Sequence, residues 1–205
     1  MLELYIKGGG MMHPILGFFI LGLAISIERL WTLSRASLDT RKFMTKVQNA
    51  LKEGGVKAAA EVCANTRGPV ASIFHAGLLR VEQGIENVEK AIMSAGSIEM
   101  AFLERGLIWL STVVSVAPMI GFLGTVWGMI VAFREIEAAN DISPSIVAGG
   151  ISIALITTLF GLIVAIIIQT FHNYFVSRID RLIIDMEESS IELVDALVET
   201  GEVKK

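Results

Sequence analysis

Three stretches of this chain carry no Asp, Glu, Lys or Arg: Gly8 to Ile27, Gly106 to Phe133 and Ile142 to Ser177. Crossing the hydrocarbon core of a bilayer takes about 20 apolar residues at ~1.5 Å of rise each. The second stretch has 28 residues and the third 36, so both meet that length with residues to spare. The first is shorter and carries His13 and Pro14 at its outer end. It could serve as a signal-peptide core, but no small-residue cleavage site follows it. It runs instead into Glu28, Arg29 and Trp31, which form an interfacial flank. The pattern predicts an all-α membrane protein with three spans.

The charge that remains sets the orientation. Of 17 Lys and Arg, eleven lie in 28–105 and four in 178–205, with one each in 1–7 and 134–141. The positive-inside rule then puts the long middle segment and the tail in the cytoplasm. The expected layout is an outer N-terminus (1–10), a first span (11–33), a cytoplasmic helical segment (34–105), a second span (106–133), an outer turn (134–141), a third span with an inner extension (142–177), and a cytoplasmic C-terminal helix (178–205). The N-terminus is periplasmic and the C-terminus cytoplasmic in this reading.

Composition narrows the function. Hydrophobic residues make up 53% and charged residues 19%, with mean hydropathy +0.64, which excludes a disordered chain. A net charge of −4 supplies no basic field, so no nucleic acid partner is expected. The single cysteine, Cys63, excludes an internal disulfide. Neither Cys63 nor His75 has a partner at metal-ligand spacing, and both are read as packing residues. No nucleophile–base pair or metal motif is visible, so the chain is not expected to be an enzyme or to hold a cofactor.

Between the spans, glycine and proline punctuate helices. Arg41–Lys52 should stop at Gly54-Gly55, and Val56–Thr66 at Gly68-Pro69. Pro69 can open a helix ending near Gly84. A further helix from about Ile85 is expected to run directly into the second span. In the tail, Ile179, Leu182, Ile183, Met186, Ser190, Leu193, Val194 and Leu197 recur at steps of three and four, one apolar stripe. No breaker separates this stripe from the third span, so one long helix is predicted. Thirty-six uncharged residues would cover ~54 Å against a hydrocarbon core of ~30 Å. The inner end must therefore be covered by protein, in this chain or a neighbouring copy, and a ring-forming oligomer is expected.

The second span carries Ser111, Ser115, Pro118, Thr125, Gly128 and Ala132 in a stripe, bordered by Thr112, Gly121 and Gly124. The third carries Gly150, Ala154, Thr158, Gly161 and Ala165, with Ser152 and Thr157 beside it. Small residues let helices approach closely in lipid, which accounts for the glycines and alanines. The threonine hydroxyls need partners in a dry setting; they either return to their own helix or face a hydrated passage or another helix. Pro118 frees one backbone carbonyl and is expected to kink the second span. No acid or base lies in the centre of either span, and His172 stands only at the inner end of the third. A proton relay needs an ionisable group, so a proton carrier would have to come from another chain.

The run from Ala117, APMIGFLGTVWGMIVAF, a short turn, and the run from Gly149, GGISIALITTLFGLIVAI, resemble the MotA/TolQ/ExbB proton-channel family. The resemblance covers about Arg105–Asn173 and is weaker around IERLW after the first span. Three spans with a large first cytoplasmic segment are similar to the ExbB and TolQ branch rather than to the four-span flagellar stator. The resemblance implies a subunit of a bacterial inner-membrane motor that uses the proton motive force for biopolymer transport or envelope work. It implies a pentamer around a dimer of a single-span ExbD- or TolR-like partner, whose membrane aspartate carries the proton. It also implies work passed to a TonB- or TolA-like protein. By the motif match, Thr125 and Thr158 fall on the family's span threonines. They are the expected proton-pathway residues, with Ser115 and Thr157 as further pore-lining candidates. The position where the family carries a third-span glutamate is Ile153 here. A non-conducting membrane scaffold for a partner helix is the alternative.

Overall fold

A computed structural model describes residues 2–36, 40–140 and 143–201. The start of the third charge-free stretch at Ile142, and Lys204 and Lys205 of the tail, lie outside the described residues. Among those described, the regular structure is entirely helical, as expected for an all-α membrane protein. In chain order the helices are α1 (Leu2–Lys7), α2 (Met12–Ala36), α3 (Thr40–Ala64), α4 (Pro69–Leu78), α5 (Ile85–Glu104), α6 (Leu107–Ala139) and α7 (Pro144–Glu199). One-turn 3-10 segments occupy Gly9–Met11 and Val81–Gln83. Three helical stretches are long and apolar enough to cross a membrane, and they include α2, α6 and α7.

The breaks fall where backbone freedom is needed. Gly55 interrupts α3 at φ 67°, ψ −166°, a conformation open essentially to glycine alone, so the two expected helices form with a sharp corner between them. Two details differ from the expected layout. The helix opened by Pro69 ends at Leu78, and a 3-10 turn carries the chain to Gly84. The helix from Ile85 does not run directly into the second span, because Gly106 adopts φ +90° and separates α5 from α6. A glycine pays little steric penalty at such a φ, which makes the break local and sharp. By contrast α7 continues unbroken for 56 residues, about 84 Å at 1.5 Å per residue.

The chain divides into two compact units, Met1–Arg29 with Gly106–Tyr174, and Leu30–Arg105 with Phe175–Lys205. In the second, helices α3, α4 and α5 bury Phe43, Val47, Ile73, Phe74, Leu78 and Val88. The Phe43 and Phe74 rings meet in a tilted arrangement, 5.7 Å between centroids. Cys63 is buried here, and desolvation pushes its thiol up to about 12. The second half of α7 buries Phe175, Ile179, Leu182, Met186, Ser189, Leu193 and Leu197, spaced at three and four residues. That matches the expected stripe except for its border. Ser189 replaces Ser190 on the buried line, and Ile183 and Val194 are half-buried.

Candidate functional site

The first unit holds the helix pair on which the candidate residues lie. Helix α6 turns Ala117, Gly121, Gly124, Gly128 and Ala132 toward α7, and α7 answers with Gly150, Ala154, Thr157 and Gly161. The backbones are nearly in contact. A Cβ on Gly161 would lie 2.7 Å from the Ala117 carbonyl oxygen, and one on Gly121 would lie 3.0 Å from the Thr157 carbonyl oxygen. A Cβ on Gly128 would meet the Gly150 carbonyl oxygen at 2.9 Å. Only glycine permits this spacing, and close approach of this kind is a main source of contact between helices in lipid. Helix α2 joins at Gly22, where an added Cβ would meet Ile168 of α7 at 2.8 Å and Val113 of α6 at 3.4 Å.

The two stripes divide more finely than composition indicates. On α6 the packed line is alanine and glycine; Ser111 and Ser115 are exposed, and Pro118 and Thr125 are partly so. Their spacing of four, three and seven residues puts them on one flank beside the packed line, shared with the exposed Phe122. The Ser115 hydroxyl donates to the Ser111 carbonyl at 3.0 Å, and that of Thr125 to the Phe122 carbonyl at 2.6 Å. Each hydroxyl oxygen keeps lone pairs that can accept a further hydrogen bond. Pro118 lies inside α6 and denies the Val114 carbonyl its usual donor.

On α7 the two adjacent threonines separate. Thr157 is fully buried, packed against Gly124, and its hydroxyl donates to the carbonyls of Ala154 at 2.9 Å and Ile153 at 3.1 Å. In this chain it is sealed between the helices and has no open face. Thr158 is half-buried at the margin of the contact, and its hydroxyl crosses to the Gly121 carbonyl at 3.2 Å. Helix α7 thus places Thr158, not Thr157, where a side chain can both tie the pair together and meet something outside it. Ile153 is half-buried.

One residue was not singled out by sequence reasoning. Arg29, read as part of an interfacial flank, is only 5% exposed. Its guanidinium meets the Glu28 carboxylate through two contacts, at 2.6 and 2.7 Å, while its Nη1 has no hydrogen-bond partner among the described residues. It lies against Gly106, where an added Cβ would come within 3.7 Å of its Nε. The adjacent Glu28-Arg29 pair was visible in the sequence; its burial was not.

Comparison with known proteins supplies the identity. The MotA/TolQ/ExbB proton channel family matches residues 65–188. The chain belongs to that family. A homolog of the biopolymer transport protein ExbB from Methanothermobacter thermautotrophicus is 32% identical over 201 residues, covering 98% of this chain and 70% of its own. An ExbB-like protein of Synechocystis is 31% identical over 191 residues, covering 91% of each chain. The Tol-Pal system protein TolQ of Pseudomonas aeruginosa is 38% identical over 125 residues, 56% of this chain and 54% of its own. Within the MotA/TolQ/ExbB family the chain therefore stands with the ExbB and TolQ branch. It is a membrane protein of a family of channel subunits that energise transport, not an enzyme.

Proposed function

We propose that this protein is the channel-forming subunit of an inner-membrane motor that uses the proton motive force for biopolymer transport or envelope work. It acts as a homo-oligomer, a pentamer by family likeness, around a dimer of a single-span ExbD/TolR-type protein. Its N-terminus faces the periplasm and its C-terminus the cytoplasm, and a TonB- or TolA-like protein receives the work. The observation that carries the reading is a mismatch. A member of a proton channel family has no Asp, Glu, Lys or Arg from Gly106 to Phe133 or from Ile142 to Ser177. The proton carrier must then be a partner's acid, and this chain supplies hydroxyls around it. Thr125 and Thr158 are the proposed contacts, with Ser115 on the same flank as Thr125. Each offers lone pairs to a protonated carboxyl or a bridging water. The protein itself holds no cofactor in this reading; protons are what it moves.

The test is proton flux into liposomes carrying the chain together with its single-span partner. Thr125→Val keeps the shape and removes one hydroxyl. Losing a hydrogen bond to a charged or protonating group costs about 1.5–3 kcal/mol. Placed on the transport barrier, that slows flux roughly ten- to a hundredfold. Parental flux in the Thr125→Val and Thr158→Val variants, with assembly intact, would remove both residues from the path. Ile153, at the position of the family glutamate, favours a second reading as a non-conducting scaffold. Flux that is unchanged by adding the partner would support that scaffold.

A further inference from the structure

Within the second unit, a cavity of about 590 Å³ lies between the end of α2, the start of α4 and the end of α5. Its chemistry is unlike that of the rest of the molecule. Arg35 enters from α2, Arg67 from the residue pair before α4, and His75 from the second turn of α4. Among the described residues, Glu99 of α5 is the one carboxylate on its wall. Among the described residues neither arginine has a carboxylate within ion-pair distance. Arg35 instead lays its guanidinium over the Trp31 ring at 4.3 Å, a contact that uses the face of the fork and leaves its N–H edges open. The wall also includes the first turn of α4, whose N-cap is Gly68 and therefore provides no side-chain acceptor for the free N–H groups there.

We propose that this cavity binds the phosphate of an anionic phospholipid from the leaflet at which α2 leaves the membrane. Helix α2 supplies the distance argument. Its apolar run ends at Ile27, so Trp31 stands about 6 Å and Arg35 about 12 Å further along the axis. The headgroup layer extends roughly 5–8 Å beyond the hydrocarbon core, within reach of an arginine side chain directed back toward it. Trp31 and Phe102, 61% and 51% exposed, stand on the cavity wall, as amphipathic and aromatic rings do at the headgroup level. A basic pocket joined to a spanning helix is the arrangement that selects anionic headgroups. Arg35 and Arg67 bind the phosphate oxygens, and Ser72 on the same wall can donate a further hydrogen bond. Glu99 opposes them and limits affinity. None of this depends on proton conduction.

The experiment uses the full chain in phosphatidylcholine nanodiscs with rising fractions of phosphatidylglycerol. Native mass spectrometry counts the lipids retained, and circular dichroism checks the fold. The parent should hold phosphatidylglycerol in preference to phosphatidylcholine. Arg35→Gln and Arg67→Gln should each weaken retention about fivefold. Arg35→Lys should keep most of it, and Glu99→Gln should strengthen it about fivefold. If either Gln variant does not fold, the Arg35→Lys and Glu99→Gln variants decide. Equal retention of both lipids, parental retention in the Gln variants, or no gain in Glu99→Gln overturns the site. Displacement of the lipid by inorganic phosphate alone would make it a soluble-phosphate site and overturn the lipid assignment.

Discussion

The two units of this protein are packed internally by different means. In the first, the closest approach is backbone to backbone, at Gly121, Gly128 and Gly161. Met12, Ile15, Leu110 and Ile168 are buried there, but many large side chains point outward: Ile108, Met119, Phe122, Leu155 and Ile166 are all more than 60% exposed. In the second, the large side chains are inside, with Phe74, Ile73 and Leu78 at 2% exposure or less. The difference follows from the surroundings. Water expels apolar surface, so a helix in water gains by burying a phenylalanine. Lipid is as apolar as leucine and gives no such gain, so contact between helices must come from close packing and a few hydrogen bonds. One chain therefore uses two packing codes: removing side-chain volume should damage the second unit most, and adding it should damage the glycine contact of the first.

The largest expected effect is Phe74→Ala. It leaves a cavity beside Phe43 and should cost about 3–5 kcal/mol, read as a lower unfolding midpoint of the purified protein in detergent. In the membrane unit the damaging change is the enlarging one. Gly161→Ala drives a Cβ against the Ala117 carbonyl oxygen, and neither backbone can yield without parting the helices. It should cost about 1–3 kcal/mol. Gly149→Ala, one residue before the contact line and with nothing within 4 Å of its Cβ, should leave the midpoint unchanged. Equal effects of the two alanines would break the comparison.

A smaller effect separates the threonines. Thr158→Val removes the hydroxyl that crosses to Gly121 and should cost about 0.6 kcal/mol, the usual size of such a bond between membrane helices. Thr125→Val removes only a bond within its own helix and should leave the unfolding midpoint unchanged. The two variants thus separate stability from flux. The smallest effect is at Cys63. With its thiol pushed up to about 12, it should resist alkylation at neutral pH in the folded protein, as mass spectrometry can follow. The sign for stability follows from linkage. Below pH 9 the thiol is protonated whether the chain is folded or not, so its contribution is complete there. Between about pH 9 and 12 only the unfolded chain ionises, and stability falls as pH rises. Cys63→Ala should flatten that alkaline slope.

Much of this was legible in the residues alone. The three spans follow from where charge is missing, because desolvating a charge in lipid is costly wherever it falls in the fold. The corner at Gly55 and the single long α7 follow from backbone chemistry local to a few residues. The family resemblance rested on Ala117–Phe133 and Gly149–Ile166, and the match over residues 65–188 covers both. What the sequence could not determine was rotation and burial. Thr157 and Thr158 differ by one position, about 100° around the helix, and composition treats them alike. Only the contact of Gly121 and Gly124 with α7 decides that Thr157 is sealed and Thr158 stands at the margin. Likewise the flank holding Ser115 and Thr125 merges with the glycine line until the neighbour is known. The burial of Arg29 against Gly106, and the meeting of Arg35 with Arg67 around one cavity, join residues 77 and 32 positions apart. Hydropathy is a property of each residue, whereas a packed face is a property of two helices together, and only the tertiary structure contains the second helix.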